Sequence, residues 1–328
     1  MLNTKNCHLC TGELFSSPIM ELDDMPKAAQ YFPTKSEFND DSGILLNIFQ
    51  CSSCGLVQLN IDPVDYYKEV ITAASLSKKA RITRLDQMKR LVDRFDLSGG
   101  KILDVGSGKG DMLDILKEVG LDAYGIEASA ESVEIGKLSG RNMIHGYIGE
   151  MNKISGAPFD AFISLNYLEH LPNPGTIIKN IYNNTSNNSV GFVTVPNLVY
   201  LLKTKCFYEF VADHLSYFTQ ETLTYAFESN GFEVLESSII NEQNDIAVIV
   251  KKRKSLSISD GIKEVKSLIH HLKELSEKYN KQRKKIAVWG AGHRTLALLA
   301  LSNLKTIEYV VDSAKFKQGR YTPVIHTP

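Results

Sequence analysis

One stretch restricts the possible folds of this chain more than any other: Lys101-Ile102-Leu103-Asp104-Val105-Gly106-Ser107-Gly108-Lys109-Gly110, followed by Glu127. An apolar run ends in an acid and a glycine-rich turn, and a helical pattern comes next. A second short apolar run, Ala123 to Ile126, then ends in Glu127. Glycines let the turn approach a ligand closely, and the amino end of a helix suits polar or negative groups. An acid after the second strand can accept hydrogen bonds from both hydroxyls of a ribose. Nicotinamide-binding folds use the same logic, but their G-x-G-x-x-G spacing is not the one that stands here.

The alternation continues. Strands are predicted at Lys101–Val105, Ala123–Ile126, Met143–His145, Phe159–Leu165, Ser189–Pro196, Glu233–Ile240 and Ala247–Lys251, with helices over Gly110–Val119, Ala130–Leu138, Pro174–Tyr182 and Gln220–Asn230. That order implies an α/β class, a doubly wound, mostly parallel sheet. The loop Glu242-Gln243-Asn244 suggests that its last two strands form an antiparallel hairpin. The expected layout is a metal-binding module over 1–62, a helical lead-in over 63–98, the core over 99–252, a connecting helix over 253–284 and a partial Rossmann-like domain over 285–328. In the lead-in, Ile82, Leu85, Met88, Leu91, Val92 and Phe95 make one apolar face. In the connector, Ile262, Val265, Leu268, Ile269, Leu272, Leu275 and Tyr279 form a stripe between two basic clusters, which read as solvated helix ends. The last segment repeats the strand, glycine turn, helix, strand, acid theme from Lys285 through Gly290-Ala291-Gly292 to Asp312. Thr295 stands where a dinucleotide fingerprint has its third glycine, so the signal for a bound nicotinamide cofactor is weak. About 43 residues follow Lys285, little more than one β-α-β unit.

Five cysteines stand in 328 residues, and four are paired as Cys7-His8-Leu9-Cys10 and Cys51-Ser52-Ser53-Cys54. The polar amino terminus does not read as a secretory signal, and no run of roughly 18 apolar residues exists for a membrane span. These features point to the cytoplasm, where two C-x-x-C knuckles read as a tetrahedral, structural zinc site through Cys7, Cys10, Cys51 and Cys54. Two unrelated pairs of free thiols are the alternative. A closed shell of four thiolates leaves no position open for catalysis. Cys206 is alone and reads as a small buried hydrophobe. The net charge of −1 gives no general attraction to nucleic acid or anionic membrane.

Two further segments carry potential chemistry. Asn166-Tyr167-Leu168-Glu169-His170-Leu171-Pro172 follows a predicted parallel strand, at the edge where such sheets bind ligands. It lacks the Asn/Asp-Pro-Pro-Tyr pattern of enzymes that methylate nucleic-acid amino groups. His170 is either a site residue or a structural histidine. Asp213-His214-Leu215-Ser216-Tyr217-Phe218 lies between a strand and a helix. A histidine beside an acid on such a loop can be a general base, with Asp213 orienting the ring or stabilising its protonated form. A histidine that only fastens the loop is the alternative.

Asp104 to Gly110 in the form D-x-G-x-G-x-G resembles class I methyltransferases that bind S-adenosylmethionine. The two knuckles, that turn, Leu168-Glu169-His170-Leu171-Pro172, Asp213 to Phe218 and Val288-Trp289-Gly290-Ala291-Gly292 together resemble one family along nearly the whole chain. It is the zinc-containing sugar C-methyltransferases of deoxysugar biosynthesis, which methylate carbon 3 of dTDP-4-keto sugars. The resemblance implies S-adenosylmethionine at Asp104, Gly106, Gly108, Gly110, Glu127 and Asn166. It implies a nucleotide-sugar substrate and proton removal by His214, with Asp213 where the family usually has glutamate and His170 at the family's other histidine. Val211 stands where the family has tyrosine, and a second family tyrosine corresponds roughly to Val70–Ser75, with Tyr66 and Tyr67 near but out of register. A ketone acidifies the neighbouring C–H bond, a base removes the proton, and donors stabilise the enolate. Methylation of oxygen or nitrogen on another small acceptor is a rival reading. A non-catalytic, zinc-bearing binding or assembly subunit is another.

Overall fold

The computed structural model describes residues 6–30, 32–69 and 77–328. These gather into two compact units, Met1–Lys254 and Ser255–Pro328. The first unit opens with three strands, β1 (Met20–Met25), β2 (Ile44–Gln50) and β3 (Val57–Leu59). Helix α1 (Lys78–Phe95) follows. Ser77 caps it by accepting the Ala80 N–H, and Asp96 ends it in the left-handed region at φ 52°. Met88, Leu91 and Val92 are buried as the spacing predicts, whereas Ile82 on the same expected face is 68% exposed. Among the described residues the lead-in is not helical before this point. Residues 63–69 form turns closed by Tyr67 N to Val64 O and Glu69 N to Tyr66 O, in keeping with Pro63 and Asp65. The segment Val70–Ser75 lies outside the described residues.

The core then alternates as expected: β4 (Lys101–Val105), α2 (Asp111–Glu118), β5 (Asp122–Glu127), α3 (Ala130–Leu138), β6 (Asn142–His145), β7 (Phe159–Leu165), α4 (Pro174–Asn184) and β8 (Thr185–Pro196). Next come α5 (Leu198–Thr204) and β9 (Ser216–Tyr217), neither of which is expected from sequence, and α6 (Gln220–Glu228), which is. The hairpin β10 (Phe232–Ile240) and β11 (Asp245–Lys252) closes the unit. Seven strands form one sheet in the order β10-β11-β8-β7-β4-β5-β6. The pairs from β8 to β6 are parallel, and β11 is antiparallel to both its neighbours. From β4 the chain winds out to β6, then returns to β7 on the other side of β4. The carboxyl ends of β4 and β7 therefore flank the topological switch point, where open α/β sheets bind ligands. Apolar side chains pack on both faces of this sheet, with Leu103, Val105, Phe162 and Val193 on one and Ile102, Ala161 and Ile163 on the other.

A second sheet has the order β1-β2-β3-β9. Its last strand comes from the far end of the core sequence: Val57 pairs with Tyr217 and Gln58 with Ser216. The amino-terminal strands and the segment around His214 thus share one hydrogen-bonded layer.

The second unit holds α7 (Ser259–Lys281), β12 (Ile286–Trp289), α8 (His293–Ser302) and β13 (Ile307–Val311). Its two strands are parallel. Leu299, Leu304 and Ile307 form a small core with Leu272, Ile286, Val288 and Val310. The expected stripe on α7 is used only at its carboxyl half, since Ile262, Val265 and Leu268 are exposed. Trp289 is 90% exposed. Among the described residues no helix is long and apolar enough to cross a membrane.

Candidate active site and cysteine cluster

The turn after β4 requires its glycines. Gly106, Gly108 and Gly110 have φ of 75°, 52° and 83°, which side chains with a Cβ rarely adopt. A Cβ on Gly106 would also sit 2.6 Å from the Tyr167 ring. Glu127 is 1% exposed. It accepts the Gly108 N–H at 2.9 Å on Oε2 and the Ser129 N–H at 2.9 Å on Oε1. The acid therefore holds both the turn and the start of α3. Asp104, buried beneath, is pushed up to about 8 by burial and by the charge of Glu127, against the pull of Arg84. A backbone cradle with no side chains, an acid at its edge and a helix amino end beyond it fit the ribose and amino-acid parts of S-adenosylmethionine.

Across the switch point, Asn166 ends β7 with φ 49°. Its backbone N–H reaches Thr194 O at 2.8 Å, Thr194 Oγ1 donates to its Oδ1 at 2.6 Å, and its Nδ2 donates to Asp245 Oδ1 at 3.3 Å. Asn241 and Asn244 also donate to Asp245. Thr194 and Asp245 were missed from sequence. Their signal was a polar residue at the ligand-side end of an otherwise apolar strand.

His170 and His214 meet in a cavity of about 230 Å³ that is also bordered by Tyr66, Tyr67, Asn166 and Tyr167. Their ring centroids are 4.7 Å apart at 81°. His170 Nδ1 lies 2.8 Å from Asp213 O. A carbonyl only accepts, so Nδ1 carries the proton and Nε2 is bare. Burial lowers His170, and the Asp213 carbonyl opposes the shift. His214 is pushed down to about 4, first by burial and then by His170, with Asp213 opposing. Both rings are neutral at pH 7.

Asp213 does not orient His214 through a hydrogen bond. Its Oδ1 accepts the Tyr66 hydroxyl at 2.7 Å and its Oδ2 the Ala29 N–H at 2.8 Å. Both oxygens thereby fasten the amino-terminal loop over the cavity, and only the field of Asp213 reaches the imidazole. Burial and this bond push Tyr66 up to about 12, so its phenol stays protonated. Tyr66 and Tyr67, out of register in sequence, both border the cavity that Val211 also lines. The base segment is pinned from two sides: Leu59 N donates to Leu215 O at 3.0 Å and Leu215 N to Glu169 O at 2.8 Å.

The four paired cysteines converge. Cys7 and Cys54 sulfurs lie 3.5 Å apart, as do those of Cys10 and Cys51, and all four lie within 4.8 Å of one another. A tetrahedral zinc with Zn–S bonds of about 2.3 Å needs sulfurs about 3.8 Å apart. Backbone N–H groups of Leu9, Gly12, Ser53 and Cys54 point at the sulfurs from 3.3 to 3.4 Å, which stabilises thiolate charge. Cys7 is pushed down to about 5, chiefly by its hydrogen bond with Cys54. His8 stays outside the cluster: its backbone N–H donates to Gln58 Oε1 at 2.8 Å. Cys206 is only half-buried.

Residues 79–237 match the family described as a methyltransferase domain, and residues 258–328 match the C-methyltransferase C-terminal domain. The C-methyltransferase NovU of Streptomyces niveus is 22% identical over 363 aligned positions, covering 98% of this chain and 84% of that enzyme. The matched domains make this chain an S-adenosylmethionine-dependent methyltransferase, similar over nearly its whole length to a C-methyltransferase. A ubiquinone biosynthesis O-methyltransferase of Thiobacillus denitrificans is 30% identical over 96 residues, 27% of this methyltransferase and 41% of its own length. Among solved structures, a methyltransferase from Clostridium acetobutylicum aligns with a TM-score of 0.46 at 12% identity, over 53% of this chain and 92% of that one. The magnesium protoporphyrin IX methyltransferase of Synechocystis, with bound SAH, aligns with a TM-score of 0.44 at 15% identity, over 57% and 90%. The central parallel sheet and the enzyme class follow the expectations from sequence.

Proposed function

We propose that this methyltransferase transfers a methyl group to the carbon beside the ketone of a nucleotide-linked sugar, with His214 as the base. The observation that carries the reading is the placement of His214. The ring is neutral and half-buried, and it borders the same cavity as Asn166 and Tyr167 at the switch point. S-adenosylmethionine, held by Gly106, Gly108, Gly110, Glu127, Asp104 and Asn166, would supply an electrophilic methyl group. The remaining work belongs to the chain. His214 takes the proton next to the ketone, and the negative charge that develops beside it favours the imidazolium. Tyr67, on the cavity wall, is the donor assigned to the enolate oxygen. His170, tautomer fixed by Asp213 O, keeps the His214 ring in place. The four cysteines hold a structural zinc, and the acceptor is a soluble cytoplasmic molecule.

The test is His214→Ala assayed with dTDP-4-keto sugars. It should keep the melting temperature and cofactor affinity and lose about 10²–10⁴-fold in methyl transfer and in solvent-deuterium exchange at the carbon beside the ketone. Wild-type rates in the variant would make His214 structural. The kinship with ubiquinone O-methyltransferases favours oxygen methylation as the second reading. That reading leaves the carbon-bound deuterium in the product.

A further inference from the structure

His214 borders two cavities. The first is the site cavity. The second, also about 230 Å³, is lined by Glu169, Asn197, Thr204, Glu209 and Ser216 among others. Thr204 and Glu209 are exposed, so this chamber opens to solvent. Glu169 is 2% exposed, and its Oε2 finds no hydrogen-bond partner among the described residues; the same holds for the buried Ser216 Oγ. Both orphaned atoms belong to residues of the same chamber wall. A polar cavity of this size holds several waters, each occupying about 30 Å³, and buried polar atoms of this kind are their usual partners. One carboxylate oxygen of Glu169, one ring nitrogen of His170 and one of His214 lie within 4.8 Å of one another, close enough for a water to bridge.

We propose that Glu169 and the water chamber beside His214 form the exit path for the proton that the base removes. The reading rests on the proposed carbon methylation. The substrate C–H bond breaks, its electron pair stays on carbon as the enolate, and the proton goes to a ring nitrogen of His214. The enolate pair forms the new carbon–methyl bond, and the pair of the broken sulfur–methyl bond stays on sulfur. The proton then crosses from His214 to one oxygen of the Glu169 carboxyl. A proton leaves the other oxygen for chamber water and reaches solvent past Thr204 and Glu209. His214 and Glu169 end each cycle as they began.

Burial raises Glu169 to about 8, a range in which a carboxyl both takes and gives protons near neutrality. His214, lowered by its surroundings, holds a proton poorly once the enolate is consumed, so it needs a further acceptor. The amino-terminal loop over the site cavity, tied down by Asp213, hinders escape on the substrate side.

The test uses a dTDP-4-keto sugar deuterated at carbon 3, with S-adenosylhomocysteine in place of the methyl donor, in ordinary water. Wild-type enzyme should wash the label out. Glu169→Gln, which cannot shuttle a proton, should return the label to carbon and slow wash-out by about tenfold or more. With the methyl donor present, the same variant should show a burst of one methylated product ahead of a slowed steady state. Thr204→Phe, which plugs the chamber mouth and leaves Glu169 in place, should slow wash-out as well; it answers the question if Glu169→Gln does not fold. Wash-out at the wild-type rate in both variants overturns the exit path. So does equal loss of the burst and of wash-out in Glu169→Gln, because that marks a structural prop. If the wild type neither exchanges nor methylates any such sugar, the proposed function itself falls, a result distinct from either.

Discussion

Glu127 accepts two backbone bonds, from Gly108 in the glycine turn and from Ser129 at the start of α3, and the proposed cofactor site puts a ribose beside it. Glu127→Ala leaves two N–H groups without their acceptor and removes the partner of the ribose hydroxyls. Charge-assisted hydrogen bonds contribute about 1.5–3 kcal/mol each. Calorimetry should therefore show S-adenosylmethionine affinity reduced by about tenfold or more; unchanged affinity would place the cofactor elsewhere. Residues of this kind were legible because spacing along one β-α-β unit brings them together. Asp213 was half legible. Its place beside His214 suggested an orienting bond, but its oxygens hold Tyr66 and Ala29, which are far away in sequence. A single sequence contains the side chains of a long-range contact and nothing that says they meet.

The two-residue strand β9 is the shortest element among the described residues, and it joins the sheet beside the cysteine cluster to the His214 loop. It pairs with β3, which follows the Cys51–Cys54 knuckle, while the His8 N–H of the other knuckle bonds the Gln58 side chain, whose backbone lies opposite Ser216 of β9. Zinc binding is largely folding energy in small modules. Chelation should therefore loosen the amino-terminal sheet and, through β9, the His214 loop, while leaving the glycine turn and α2 intact. Hydrogen exchange should rise over 211–218 on chelation and turnover should fall, with S-adenosylmethionine still bound. Protection of 211–218 that is indifferent to metal would separate the two sites. Two residues have no period to read, so β9 was invisible in sequence. The longer strands β4, β7 and β8 were predicted nearly to their ends because burial on both faces makes their apolar runs continuous.

For the molecule as a whole, two buried carboxyls and two half-buried histidines of the first unit contribute to the response to pH. Asp104 and Glu169 are raised to about 8, so the folded chain keeps protons there that an unfolded chain releases above about pH 4. Their contribution is full below about pH 4 and is lost as pH climbs through about 8. His214, lowered to about 4, and His170, lowered as well, act in the other direction. They cost stability in acid, and that cost vanishes above about pH 6.5. The two pairs oppose each other below about pH 6.5, and of these four groups only the carboxyls act above it. The melting temperature should fall between about pH 6.5 and 8; a rise over that interval would mean that the carboxyls are ionised in the folded chain. The core was legible at this scale because seven strands repeat one pattern. The amino-terminal strands were less so, since their sheet is completed from the other end of the unit. Trp289 carries a practical consequence. It is the chain's sole tryptophan and stands 90% exposed on β12 of the second unit. Its fluorescence is a native, label-free beacon for that unit, and titrations followed at its emission will register events there while occupancy of the glycine turn needs a calorimetric or isotopic readout.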